Sequence, residues 1–454
     1  MYLVEYLASF IVKASYDCLS NIGSQTLKIR ILDTIGCAIG GLDGEPVRRV
    51  RDQVDDFGGA ERCTLIAGGR TAPDRAAFSN GALVRYLDFN DSYLAQGETC
   101  HPSDNFGAVL AAAEYAGRSG SELLAALAIA YQVQCRLSDI APVRAKGFDH
   151  TTQGAYAAAA GVAKALGLDA VRIAHAIAIS GTAFNGLRVT RTGALSNWKG
   201  LAYPSTAAGA THAAFLASRG VTGPLEVFEG TGGFMDSIAG PFEMDWSRED
   251  MERVTRTIVK NYNAEIHSQA VLEGILELKH ENRLPPTDVE RVDVEIFDVA
   301  YNIIGGGKEG EKTTVRTKEE ADHSLPYLVA VALLDDQVMP EQYQPDRIGR
   351  ADVQVLLRKV FVRPHERYSK RFPEEMPCRI TVRLRGGERF VKEKMDYERF
   401  HSRPARWEGV VRKFERLAEG HADVSLRRQI EEAVFRLETI QVCDLTGLLL
   451  KVRV

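Results

Sequence analysis

Four alanine-rich runs constrain this chain more than anything else in it: FGAVLAAAEYAG (106–117), SELLAALAIAYQVQCRLSDIA (121–141), QGAYAAAAGVAKALGL (153–168) and PSTAAGATHAAFLASRG (204–220). Alanine is the strongest helix former, and the apolar residues of these runs recur at three- and four-residue spacing. Faces made mostly of methyl groups imply helices in close mutual contact, so the first 265 or so residues are expected to form a helical bundle. Gly and Ser-Gly steps at GRSGSEL, LGLD and RGVTGP punctuate the runs. The opening MYLVEYLASFIVKASYD carries an apolar stripe without a basic segment, apolar core and cleavage site in succession, and it reads as an amphipathic first helix.

The texture changes after about residue 280. VERVDVEIF (289–297) alternates polar and β-branched residues, and CRITVRLRGGERFVKEKMDY (378–397) is a hairpin pattern about Gly386-Gly387. Between them lie a helical run beginning DHSLPYLVAVALL and a charged helix near DRIGRADVQVLLRK. From RPARWEGVVRKFERLAEG onward the pattern is helical again. The expectation is a mainly α protein with a smaller α+β part. Residues 1–268 and 396–454 form one helical domain, and 269–395 form an inserted α+β lid, with ligand bound in the cleft between domains.

A chain of 454 residues exceeds what one hydrophobic core supports, which agrees with two domains. Its net charge of −5 offers no basic field for nucleic acid or an anionic membrane. No apolar run reaches the ~20 residues that span a bilayer. The seven cysteines (18, 37, 63, 100, 135, 378 and 443) are odd in number and contain no CxxC pair. That argues against a disulfide framework, a zinc site or an iron–sulfur cluster. A cytoplasmic protein without metal or cofactor is expected.

Reactive polar groups are concentrated where apolar runs begin. LDFNDSYLAQGETCHPSDN (87–105) holds Asp88, Asp91, Ser92, Glu98, His101 and Ser103. KGFDHTTQG holds Lys146, Asp149, His150 and Thr151, and SNWKGLAYPS holds Lys199. KNYNAEIHSQA and EEADHSLPYLV add Lys260, His267, Asp322, His323 and Tyr327. Helix N-termini favour anions. Singly, Ser103 or Asp104 and Asp322 or Ser324 read equally well as N-caps. Together these cations and neutral donors suit a polycarboxylate.

In this order, YLDFNDSY…HPSDN, GFDHTTQGA, NWKGLAYPSTAA, KNYNAEIHSQA and DHSLPYLVAVALLD resemble the MmgE/PrpD family, from ILDTIGCAIGG (31–41) to WEGVVRKF (407–414). The resemblance implies a large helical domain built from both chain ends, an α+β lid, a homodimer and catalysis without a cofactor. It implies chemistry on a small polycarboxylate: dehydration of 2-methylcitrate, decarboxylation of cis-aconitate or epimerisation of iminodisuccinate. HPSDN, in place of HPSG, resembles the dehydratase branch, whereas NWKGLAYPSTAA departs from it. Asp88 and Ser92 match the family's acid and hydroxyl residue, with Ser where Thr is common. His101, His150, Lys199, His267 and Tyr327 match its other site positions, and Ser103, Lys260 and His323 are substrate-binding candidates beside them. The implied mechanism abstracts a proton next to a carboxylate. His101 or His150 is the base, Asp88 orients an imidazole, Lys199 and His267 clamp carboxylates, and Tyr327 or a second histidine protonates the leaving oxygen. The non-enzymatic alternative is a polycarboxylate sensor.

Overall fold

The computed structural model describes all residues, Met1–Val454, and they divide into two compact units. The first comprises residues 1–190, 200–257 and 406–454. Its helices are α1 (Leu3–Lys13), α2 (Asn21–Gly40), α3 (Glu45–Phe57), α4 (Pro73–Tyr86), α5 (Phe106–Tyr115), α6 (Gly120–Ile140), α7 (Thr151–Leu166), α8 (Ala170–Ala183) and α9 (Trp198–Ser218). Local chemistry sets their ends. Ser20 caps α2, Ser119 and Glu122 form a capping box on α6, and Asp169 caps α8. Two short ladders, β1 (Cys63–Thr64) with β2 (Arg70–Thr71) and β3 (Tyr93–Leu94) with β4 (Thr99–Cys100), occupy the loops.

Three of the four alanine runs become α5, α6 and α7, which are buried almost throughout and pack on one another, and the fourth lies within α9. Helix approach is tightest at glycines. A Cβ on Gly107 would fall 2.7 Å from the Gly81 nitrogen, so α4 and α5 touch backbone to backbone. In an open helix, Gly→Ala gains about 1 kcal/mol of propensity. Here the sign is reversed: Gly107→Ala is expected to lose about 1–3 kcal/mol through overpacking, measured by denaturant titration.

The second unit comprises residues 191–199 and 258–405. It contains α10 (Gln269–Asn282), α11 (Asp298–Ile304), the single turn α12 (Lys318–Ala321), α13 (Leu325–Asp335), α14 (Pro345–Ile348), α15 (Ala351–Leu357) and α16 (Glu366–Ser369). Strands β5 (Val289–Ile296), β6 (Val360–Pro364), β7 (Cys378–Leu384) and β8 (Arg389–Lys394) form one sheet in the order β6-β5-β7-β8. β5 runs parallel to β6 and antiparallel to β7, and β7–β8 is the hairpin about Gly386-Gly387. Period-two alternation turns Val292, Val294 and Ile296 inward, and α10 and α13 pack on the sheet. The expected charged helix is two short ones, α14 and α15, broken at Gly349.

The remaining helices, α17 (Trp407–Ala418), α18 (Val424–Phe435) and α19 (Val442–Leu449), belong to the first unit. α17 lies against α2, where Lys413 meets Asp33 at 2.8 Å with both side chains buried. The architecture is mainly α with a smaller α+β part. No helix is long and apolar enough to cross a membrane.

Candidate functional site

In the first unit, strand register assembles the histidine site. β3 and β4 pair Tyr93 with Cys100, so Ser92 and His101, one residue further out, become neighbours. The His101 Nδ1 lies 2.7 Å from the Asp91 main-chain oxygen and 3.0 Å from Ser92 Oγ. A carbonyl oxygen only accepts, so Nδ1 carries a proton, and in the neutral form of the ring the lone pair lies on Nε2. That tautomer is the one a general base needs. The His150 ring sits edge-on to His101 with centroids 5.5 Å apart and stacks on Tyr203 at 5.8 Å.

A buried polar web holds this arrangement. The Asp91 carboxylate accepts the Ser103 hydroxyl at 2.6 Å and the Ser103 N–H at 3.1 Å. Burial pushes the Asp91 carboxyl up, against the lowering pull of Ser103 and Arg30. Asn90 donates to Ser103 Oγ at 2.9 Å and to Asp104 at 2.7 Å, and Arg85 holds Asp88 at 2.6 Å. Tyr203 donates to Asn105 at 2.9 Å. Ser103 and Asp104 are therefore network residues, not caps: the residue before α5 is Asn105, and its side chain makes no cap bond. Asp149 bonds the Thr151 N–H at 3.2 Å at the start of α7, whereas Lys146 is exposed.

In the second unit the centre is Asp322. Its Oδ1 receives Lys199 Nζ at 2.5 Å and lies 2.8 Å from His323 Nδ1, and its Oδ2 receives Lys318 Nζ at 2.8 Å. Burial alone would raise this carboxyl, but Lys199, Lys318 and His323 hold it far below the usual carboxylate range. The chain brings these groups together with caps. Thr317 caps α12, Ser324 caps α13, and Asp322 and His323 occupy the link between them. Arg191 holds the Lys199 carbonyl at 2.8 Å, and Asn197 donates to Glu319 on α12 at 3.0 Å.

Beside it, Glu265 caps the turn before α10 by accepting the His267 N–H at 2.8 Å, and its other oxygen lies 2.6 Å from His267 Nδ1. Burial would raise Glu265, yet His267, His323 and Lys260 bring it down to about 2. An ionised carboxylate only accepts, so His267 Nδ1 carries a proton; its Nε2 is buried without a hydrogen-bond partner. Phe297 and Phe372, stacked at 4.4 Å, wall the ring. Lys260 is fully buried. Tyr327 stands differently from the expectation. Its hydroxyl donates to the Gln342 carbonyl, close to Arg347 and Asp335, and burial pushes the phenol up.

Sequence reasoning left out Glu265, Tyr203 and Arg85 as site residues and read Asp322 both as a reactive group and as a cap. The one available signal was Glu265 two residues before His267, the spacing of a turn whose cap also reaches the ring.

The MmgE/PrpD N-terminal domain matches residues 5–247 and the MmgE/PrpD C-terminal domain matches residues 262–439. The chain belongs to the MmgE/PrpD family. Among its relatives is a 2-methylcitrate dehydratase of Salmonella typhimurium, 26% identical over 436 residues, covering 88% of this chain and 86% of the relative. That of Escherichia coli K12 is 26% identical over 423 residues, covering 86% and 84%. An alkylcitrate dehydratase, phiI, from a fungal species is 27% identical over 428 residues, covering 86% and 83%.

Proposed function

We propose that this protein is a hydro-lyase that removes water from an alkylcitrate such as 2-methylcitrate without a cofactor, working as a cytoplasmic homodimer. The observation that carries the reading is the Lys199–Asp322–His323 cluster, a buried cationic group of the kind a carboxylate-stabilised carbanion demands, in a chain whose relatives bear dehydratase names. These names also favour dehydration over decarboxylation or epimerisation.

The hard step is removal of a proton next to a carboxylate. Its electron pair spreads onto that carboxylate until the neighbouring carbon loses hydroxide, which leaves as water after protonation. In this reading His101, with its lone pair on Nε2, takes the proton, and His150 is its close alternate. Lys199 meets the charge growing on the carboxylate, and His267 and His323 supply donors, one of them returning a proton to the departing oxygen. Lys260 and Ser92 are further substrate-binding candidates, Asp88 fixes Arg85 and Ser103 fixes Asp91.

The test is proton NMR of the purified protein with 2-methylcitrate, citrate, cis-aconitate and iminodisuccinate in D₂O. Formation of the unsaturated tricarboxylate from 2-methylcitrate is the expected result; CO₂ loss or epimerisation alone would replace the proposal. Lys199→Ala is expected to lower kcat/KM by about 10²–10³-fold, the effect of removing one fixed charge-stabilising donor.

A further inference from the structure

Both carboxylate oxygens of Glu265 meet one residue. Oε2 accepts the His267 main-chain N–H at 2.8 Å, and Oε1 lies 2.6 Å from Nδ1 of the same ring. The acid is itself fixed through its backbone. Its N–H donates to the Asp322 carbonyl at 3.1 Å, and its own carbonyl accepts the Ser268 hydroxyl at 2.6 Å. Phe297 and Phe372 stand against the imidazole with centroids 5.6 and 5.5 Å from its own. His267 is only 1% exposed, and its Nε2 has no hydrogen-bond partner.

A buried ring nitrogen without a partner costs stability, and such a group calls for an explanation beyond the fold. With Nδ1 tied to Glu265, Nε2 is the nitrogen left to give or take a proton. A carboxylate at Nδ1 also compensates the positive charge of the ring while Nε2 holds a proton. His323 is placed differently. Its Nδ1 shares Asp322 Oδ1 with Lys199, and Lys318 takes Oδ2, so that carboxylate is divided among three donors. The Glu265 oxygens serve His267, with Lys260 and His323 acting on the acid through their charge.

We propose that Glu265 is a positioning residue that holds His267 ready to return a proton to the departing hydroxyl. The inference rests on the dehydration reading above and deepens it by choosing His267 over His323 as the donor. In this step the carbon–oxygen bond breaks and its electron pair stays on oxygen. The oxygen takes the Nε2 proton and leaves as water, and the pair left by the abstracted proton closes the carbon–carbon double bond. His267 becomes neutral with Nδ1–H still on Glu265, His101 is left protonated, and solvent restores both before the next turnover.

The experiment follows 2-methylcitrate in D₂O by proton NMR, scoring loss of water and exchange of the abstracted proton in the same sample. Wild type is compared with His267→Gln and Glu265→Gln. Glutamine at 267 still donates a hydrogen bond but transfers no proton, and glutamine at 265 keeps the size of the acid without its charge. Dehydration is expected to fall roughly 10²–10⁴-fold in His267→Gln, the worth of general acid help. In Glu265→Gln it falls about 10- to 100-fold, the scale of one lost charge-assisted bond. Proton exchange persists in both variants and KM stays within a few-fold, because the carbanion still forms and is reprotonated on carbon. Exchange and dehydration falling together overturns the proposal, since a structural or substrate-clamping role lowers both. So does unchanged dehydration in either variant. A wild type that neither exchanges nor dehydrates 2-methylcitrate removes the proposed function and this inference with it. Wild-type dehydration without the split in the variants removes the inference alone.

Discussion

Asp322→Asn is expected to destabilise the protein by about 3–5 kcal/mol, the cost of removing one partner from a buried ion group. The change keeps the size of the side chain and removes its charge. Two ammonium groups and an imidazole approach the two carboxylate oxygens within 2.5–2.8 Å, and Asp322 is fully buried. An amide presents an N–H₂ where one of those cations now finds an acceptor, so repulsion is added to lost attraction. Denaturant titration measures the loss, and Lys318→Met, which removes only one of the three cations, is expected to cost less. The pH dependence has a fixed sign. Asp322 and Glu265 have carboxyls lowered on folding, Glu265 from 4.5 to about 2. Groups of this kind stabilise the fold fully above their unfolded values and lose that contribution as pH falls through the folded ones. The Glu265 share is complete above about pH 4.5 and disappears toward pH 2, and in Glu265→Gln that part of the acid transition is expected to flatten. An unchanged midpoint for Asp322→Asn would show that the cluster holds substrate without holding the fold.

Much of this arrangement was legible in the residues, and the remainder was hidden for identifiable reasons. Alanine periodicity located the helices because small residues dictate close packing whatever the topology. Alternation in VERVDVEIF and the Gly-Gly step located the sheet, since a half-buried strand leaves that trace. Histidines and lysines at the starts of apolar runs were recognisable as chemistry. Which carboxylate each cation would meet was not, because Asp322 and Lys199 are separated by 123 residues in sequence. Ser103 and Asp104 misled in the opposite direction. Their cap-like position before an apolar run says nothing of Asn90 and Asp91, whose side chains take them into a buried web. Tyr327 shows the same limit: a motif fixes its place on α13, whereas the destination of its hydroxyl depends on Gln342, fifteen residues later.

His101→Asn is expected to lower kcat for alkylcitrate dehydration by roughly 10²–10⁴-fold while leaving KM within a few-fold, because a general base acts mainly in the transition state. The proposed base role rests on the hydrogen bonding of Nδ1. The Asp91 carbonyl binds Nδ1–H at 2.7 Å, and that carbonyl cannot donate, so the neutral form of the ring has its lone pair on Nε2. Ser92 contributes a weaker version of the same contact at 3.0 Å, and Ser92→Ala is accordingly expected to lose far less than His101→Asn. Substrate proton exchange in D₂O separates the possible outcomes. If His101 takes the proton, exchange and dehydration fall together in His101→Asn. If His150 is the base, with its ring 5.5 Å from that of His101 and stacked on Tyr203, exchange survives in His101→Asn and disappears in His150→Asn. A two-base site would show partial exchange in each variant and none in the double variant. The bond from Nδ1 to a main-chain acceptor favours the first outcome, since the neutral form of His101 accepts a proton on Nε2 without breaking the bond that orients it.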